Sequence, residues 1–148
     1  VSDLIIAELE GFETLRKKIK TLPDRAKVGK VRQILRRSAR PTIQAARDEA
    51  PESDAPHLMR GKLIQPGNLK KSIRAAVLRK SKVPLVVVGP RSSGKYDGFY
   101  GRQFVIPGTV KQAMNPFMQR AAAKTETKVT AKAKAGMEKY IQKLIDRI

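Results

Sequence analysis

Apolar side chains recur at helical spacing between residues 28 and 50, at Val28, Val31, Ile34, Leu35, Ala39, Ile43, Ala46 and Ala50, and Pro41 stands inside that run. The spacing predicts the longest helix of the N-terminal half, with Arg32, Arg36, Arg37, Arg40 and Arg47 mostly on its other faces. Proline removes one amide donor and its ring meets a preceding carbonyl, so the helix is expected to kink or to break into two packed helices. A second apolar stripe, Met137, Tyr140, Ile141, Leu144, Ile145 and Ile148, lies in a chain of helical composition from Phe117 onward. Asn115 is the expected N-cap of this last helix and Pro116 its first residue. Gly136 weakens it and marks an expected bend.

The segments between these helices are short and punctuated. Residues 4–9 read as a strand or arm, and Phe12, Leu15, Ile19 and Leu22 as a short helix that Pro23 stops. Gly67-Asn68-Leu69 begins a turn or short helix. Residues 73–78 and 84–88 are β-branched or apolar runs joined by a basic turn, which predicts a hairpin. Phe104, Val105 and Ile106 read as another strand entering the Pro107-Gly108-Thr109 turn. Surface loops are expected at about 52–66, opened by Ala50-Pro51, and at about 89–102. The expected fold is a single α+β domain over residues 1–148, with a small, mainly antiparallel sheet covered by a kinked N-terminal helix and a long C-terminal helix.

Charge narrows the function. The chain carries 32 Lys and Arg against 13 Asp and Glu, a formal net charge of +19. A compact body so charged repels itself and favours a polyanion or an acidic protein surface. Aromatic residues are 5% with no Trp, so stacking on unpaired bases is poorly supplied, and duplex DNA held through phosphate neutralisation is the expected nucleic-acid alternative. Cysteine is absent, which removes disulfides, thiolate nucleophiles and cysteine-ligated metals and fits assembly in a reducing cytoplasm. No apolar run approaches the length of a membrane span, and no apolar block precedes a cleavage site. Val1 is small enough to follow a removed initiator methionine, so the N-terminus is expected to be close to the natural one.

Chemistry-bearing motifs are incomplete. Gly89-Pro90-Arg91-Ser92-Ser93-Gly94-Lys95 has the glycine and lysine spacing of a phosphate-binding P-loop, but Tyr96 stands at the magnesium-binding Ser or Thr position and Asp97-Gly98 breaks the helix that should follow. His57 has acids before it and no Cys or helical His partner, so it reads as a loop histidine in water. Ser72, His57 and Asp54 can be drawn as a triad, yet the serine lacks a nucleophile elbow. The expectation is therefore a protein that is no enzyme and takes no cofactor or metal.

Taken in order, several short motifs resemble the tail-completion or neck family of long-tailed bacteriophages, the gp-ten-like tail-component family. They are Ala50-Pro51, Gly67-Asn68-Leu69-Lys70-Lys71-Ser72-Ile73, Val88-Gly89-Pro90, Phe99-Tyr100-Gly101-Arg102, Pro107-Gly108-Thr109 and Asn115-Pro116-Phe117-Met118-Gln119-Arg120-Ala121. Pro66 stands where the family has Thr, the family's turn glutamate is replaced around Ile106, and residues 52–65 read as an insertion. The resemblance covers nearly the whole chain. It implies a virion protein, assembled in the host cytoplasm, that forms a homo-oligomeric ring, expected to be hexameric, between the tail tube or its terminator and the head-proximal connector.

Candidate partner- or DNA-facing residues are Arg91, Lys95 and Arg102 in the second loop and the ridge Arg120, Lys124, Lys128 and Lys132, spaced four apart on the last helix. Any one of these lysines is also consistent with a solvated face. An acidic surface of an adjoining ring, or DNA passing through the lumen, would offset the charge of neighbouring copies.

Overall fold

The computed structural model describes residues 24–146 together with Lys17 and Lys20, which are helical. The strand expected at 4–9 and the apolar positions of the helix expected at 12–22 lie outside the described residues.

The proline in the first long helical run does what its chemistry requires. Helix α1 (Asp24–Ser38) and helix α2 (Arg40–Glu49) meet at Ala39, which keeps right-handed helical dihedrals (φ −74°, ψ −7°). Hydrogen bonds continue on both sides, from Ala39 N to Leu35 O at 3.1 Å and from Ile43 N to Ala39 O at 3.1 Å. The helix is thus broken by one residue at the proline and resumed at once. Ala50 ends it in an extended conformation (ψ 132°), as a residue before proline prefers.

Strand β1 (His57–Met59) and strand β2 (Lys62–Ile64) pair antiparallel, so the region expected as a long loop contains a hairpin. Its two-residue turn is Arg60-Gly61, both at positive φ (52° and 76°), the arrangement whose twist matches that of the flanking strands. A short helix α3 (Asn68–Ser72) runs directly into β3 (Ile73–Val77), which pairs antiparallel with β4 (Val86–Pro90) as the β-branched runs predict. Among the described residues the sheet is therefore two separate two-stranded ribbons. Gly101–Val105 forms a single π-helical turn where a strand was expected at 104–106, with Ile106 N bonded to Gly101 O at 2.9 Å. Gly101 lies so close to Leu69 that an added Cβ would meet its Cδ1 at 2.1 Å, and Val105 is buried. Packing on α3 has overridden the local preference of Phe104-Val105-Ile106 for extended backbone.

Helix α4 (Phe117–Ile145) runs without interruption through Gly136. Pro116 is its N-cap and makes no side-chain cap bond, and Asn115 instead accepts from Arg120 at 2.9 Å. The core lies between α2, α4 and β3. It consists of Ala46, Ala50, Ile73, Val105, Phe117 and Ala121. Alanines at the α2–α4 contact let the backbones approach, and Phe117 and Ile73, both 0% exposed, fill the space beside them. Each such side chain contributes about 1.5–3 kcal/mol on burial. Thr42 and Thr125 tie the two helices with a hydroxyl hydrogen bond of 2.7 Å, and Thr125 also bonds Ala121 O.

Gly136 has a packing role. A Cβ there would come within 2.6 Å of Ile34 Cγ2 on α1, an atom fixed to a β-branched side chain with little freedom. Gly136→Ala is expected to lower stability by about 1–2 kcal/mol, because overpacking exceeds the gain of roughly 1 kcal/mol in helix propensity. Urea unfolding checks this, and a stabilised variant would show that α1 and α4 have room to spare.

Candidate functional site

Arginine is distributed unevenly over this fold. The end of α1 supplies Arg36 and Arg37, α2 supplies Arg40 and Arg47, β3 supplies Arg74, and the chain just after β4 supplies Arg91. All six line one open groove of about 540 Å³, with Ile43, Ala75 and Ala76 as its apolar part and no acidic residue among its described walls. Two of the six are fixed from below: Arg47 donates to Ile73 O at 3.0 Å and Arg74 to Ser93 O at 2.6 Å. The Nε of Arg47 is buried without a partner. Among the described residues none of the six arginines forms an ion pair.

A second cavity of about 640 Å³ shares Arg37 and Arg40 with the first and adds Lys30, Lys132, Lys139 and Lys143. The α1–α2 junction therefore carries one continuous cationic surface, with guanidinium groups on the β3 side and ammonium groups on the α4 side. The difference matters. A guanidinium fork matches the two oxygens of a carboxylate or phosphate, whereas an ammonium acts as a hydrated point charge.

No family model matches the chain, and neither a curated protein nor a solved structure is significantly similar to it.

The residues singled out from sequence are dispersed by the fold. Arg91 lines the arginine groove. Lys95 instead sits near Lys62 and Lys71, with its ammonium 5.6 Å from the Tyr96 ring centre. Arg102 is exposed on the π-helical turn. On α4, Arg120 and Lys124 both bind Glu49 of α2, the first at 2.7 Å, so this half of the ridge is a clip between helices. Lys128 is exposed, and Lys132 borders the second cavity. Arg36, Arg37, Arg40, Arg47 and Arg74 were not expected as site residues. Their sequence signal was the step of four from Arg36 to Arg40 and seven more to Arg47, which keeps one helical face across the break.

The loop after β4 is held by specific bonds. Gly98 N donates to Arg91 O at 2.7 Å, and Asn68 brackets Asp97, donating to its carbonyl and accepting from its amide. A Cβ on Gly98 would lie 2.3 Å from Ser72 Oγ and 2.6 Å from Pro90 Cβ. Helical backbone starts only at Phe99, so no helix N-terminus follows Lys95. The Ser72 hydroxyl is buried and donates to Leu69 O at 2.6 Å, while the His57 ring packs 5.8 Å from Tyr100. Among the described residues no group of three His, Cys, Asp or Glu is placed to hold a metal ion. Nor is any described helix long and apolar enough to cross a membrane.

Hydrogen bonds from Lys124 and then from Arg120 hold the Glu49 carboxyl below the usual glutamate range. A depressed folded-state value means that the clip stabilises the fold above the pKa of the unfolded chain and is lost as pH falls through the folded value. Glu49→Gln is expected to lower the melting temperature at pH 7 and to narrow its difference from the native chain progressively on acidification below the ordinary glutamate range. Melting curves at a series of pH values test this, and a difference independent of pH would show that the carboxylate charge is not what joins α2 to α4.

Proposed function

We propose that this chain is a structural virion subunit, not an enzyme, which closes with its own copies into a ring at the neck of a long-tailed bacteriophage, between tail and head connector. The observation that carries the oligomeric part of this reading is the outward face of the first hairpin. Leu58 and Leu63 are cross-strand partners and are 76% and 60% exposed, while Ile64 on the other face is buried. A two-stranded ribbon with leucines on its wet face lacks its covering layer. Val110 and Met114 are equally bare, at 107% and 65% exposure. Leu78, Val83, Leu85 and Val87 of the second hairpin region are exposed too. Apolar surface on different elements suits heterologous contacts, in which one face of a copy meets a different face of the next and rotation closes the ring.

The motifs behind the family resemblance also have physical roles in this fold, which supports reading them as a set. Ile73 and Phe117 are core residues, Leu69 packs on Gly101, and Pro90 is buried beside Gly98. In this reading the tail terminator and head connector are the axial neighbours, and the virion is where the protein resides.

The deciding experiment is the pair Leu58→Lys and Leu63→Lys in one chain. The expected result is an unchanged circular dichroism spectrum, sedimentation as a monomer where the native chain forms rings, and unjoined heads and tails in a phage-producing lysate. Native-like ring formation by this variant would sink the proposal.

The arginine groove favours a second reading, sequence-independent binding of duplex DNA. Were the six guanidiniums each to neutralise one phosphate, log K would fall against log salt with a slope of about −5 for the isolated monomer. A salt titration by fluorescence anisotropy separates the two readings, since ring assembly predicts weak DNA binding with a much shallower slope.

A further inference from the structure

The arginine groove follows the free edge of a β-strand. Arg74, Ala75 and Ala76 are consecutive in β3, and all three line it. Side chains of a strand alternate between faces, so three successive residues border a groove that runs along the strand's edge. Among the described residues β3 pairs only with β4. The bonds Leu78 N to Leu85 O and Arg91 N to Ser72 O put the even-numbered residues on the β3 side, opposite odd-numbered ones on the β4 side, in the bonded pairs. Ala75 and Val77 consequently turn their amide and carbonyl groups to the open edge, where no described residue bonds them. An extended peptide adds to such an edge through its backbone, and its side chains meet what flanks the strand. Among the described residues the flanks are guanidinium groups and a few apolar and small polar side chains, with no aromatic platform for a base. That combination fits a peptide carrying both carboxylates and apolar residues better than it fits a nucleic acid.

The chain itself contains such a peptide. Residues 1–13 hold Asp3, Glu8, Glu10 and Glu13 with no Lys or Arg, and Leu4, Ile5, Ile6, Leu9 and Phe12 lie among the acids. The remaining residues hold all 32 Lys and Arg against nine acids. We infer that the acidic N-terminal segment of one copy docks along β3 in the arginine groove of the next copy, joining neighbours by strand addition and carboxylate–guanidinium pairing. The inference rests on the ring reading and supplies its contact: each copy offers one anionic and one cationic element, which is the polarity a head-to-tail ring needs.

The test uses full-length chains. One variant reverses the groove (Arg36→Glu, Arg37→Glu, Arg40→Glu) and another the segment (Glu8→Lys, Glu10→Lys), and sedimentation velocity follows each alone and mixed. Each alone is expected to associate at least tenfold more weakly than the native chain, and the equimolar mixture to form a 1:1 pair, since it restores one native segment facing one native groove. Hydrogen exchange is expected to show the Ala75 and Val77 amides protected in the native assembly and open in the segment variant, a readout that survives if the groove variant folds poorly. Native-like rings from the segment variant, a mixture that stays monomeric, or a groove variant that loses only duplex DNA binding would each overturn the inference while leaving the ring reading intact. A native chain that never associates would overturn both.

Discussion

Close approach of α2 to α4 is the constraint on which the rest of the molecule depends. Ala46 on α2, Ala50 just past its end and Ala121 on α4 are at most 4% exposed, so the backbones meet with little between them. The short distance brings Thr42 to Thr125 and lets Glu49 receive Arg120 and Lys124. It also leaves the deepest space for Phe117 and Ile73, and Ile73 starts β3. The position of the strand, and with it the wall of the arginine groove, follows from two helices whose contact residues are small.

Periodicity made the helices legible, and proline chemistry made the break at residue 39 legible. The second hairpin was equally plain, because Val86, Val87 and Val88 are β-branched and Ile73 to Val77 can only face them once a turn intervenes. What failed had a common cause. Phe104, Val105 and Ile106 favour extended backbone locally, yet Gly101 admits Leu69 of α3 and the segment coils to bury Val105. The first hairpin has strands of only three residues, and its turn advertises itself by Gly61 alone, since Arg60 is an uncommon residue at positive φ. The Arg60 guanidinium stands 4.7 Å from the centre of the Phe99 ring, a contact between distant parts of the chain that no local pattern reveals.

The candidate site was legible only as charge. A sequence shows that Arg36, Arg40 and Arg47 share a helical face, but not that β3 and the chain after β4 bring Arg74 and Arg91 opposite them. The lysine ridge showed the reverse problem. Its even spacing suggested a single surface, whereas the fold commits Arg120 and Lys124 to Glu49 and leaves Lys132 beside α1. Spacing along a helix defines a face, and only the neighbouring elements decide whether that face is occupied.

The break at Ala39 has a mechanical consequence. Arg36 and Arg37 belong to the helical segment before it, and Arg40 and Arg47 to the segment after it. Each segment is anchored to the second hairpin on its own, the first through Arg32, which donates to Leu78 O at 3.3 Å, and the second through Arg47, which donates to Ile73 O at 3.0 Å. Pro41, by withholding a single amide hydrogen, thus divides the groove's helical wall between two pieces that the second hairpin holds at separate points.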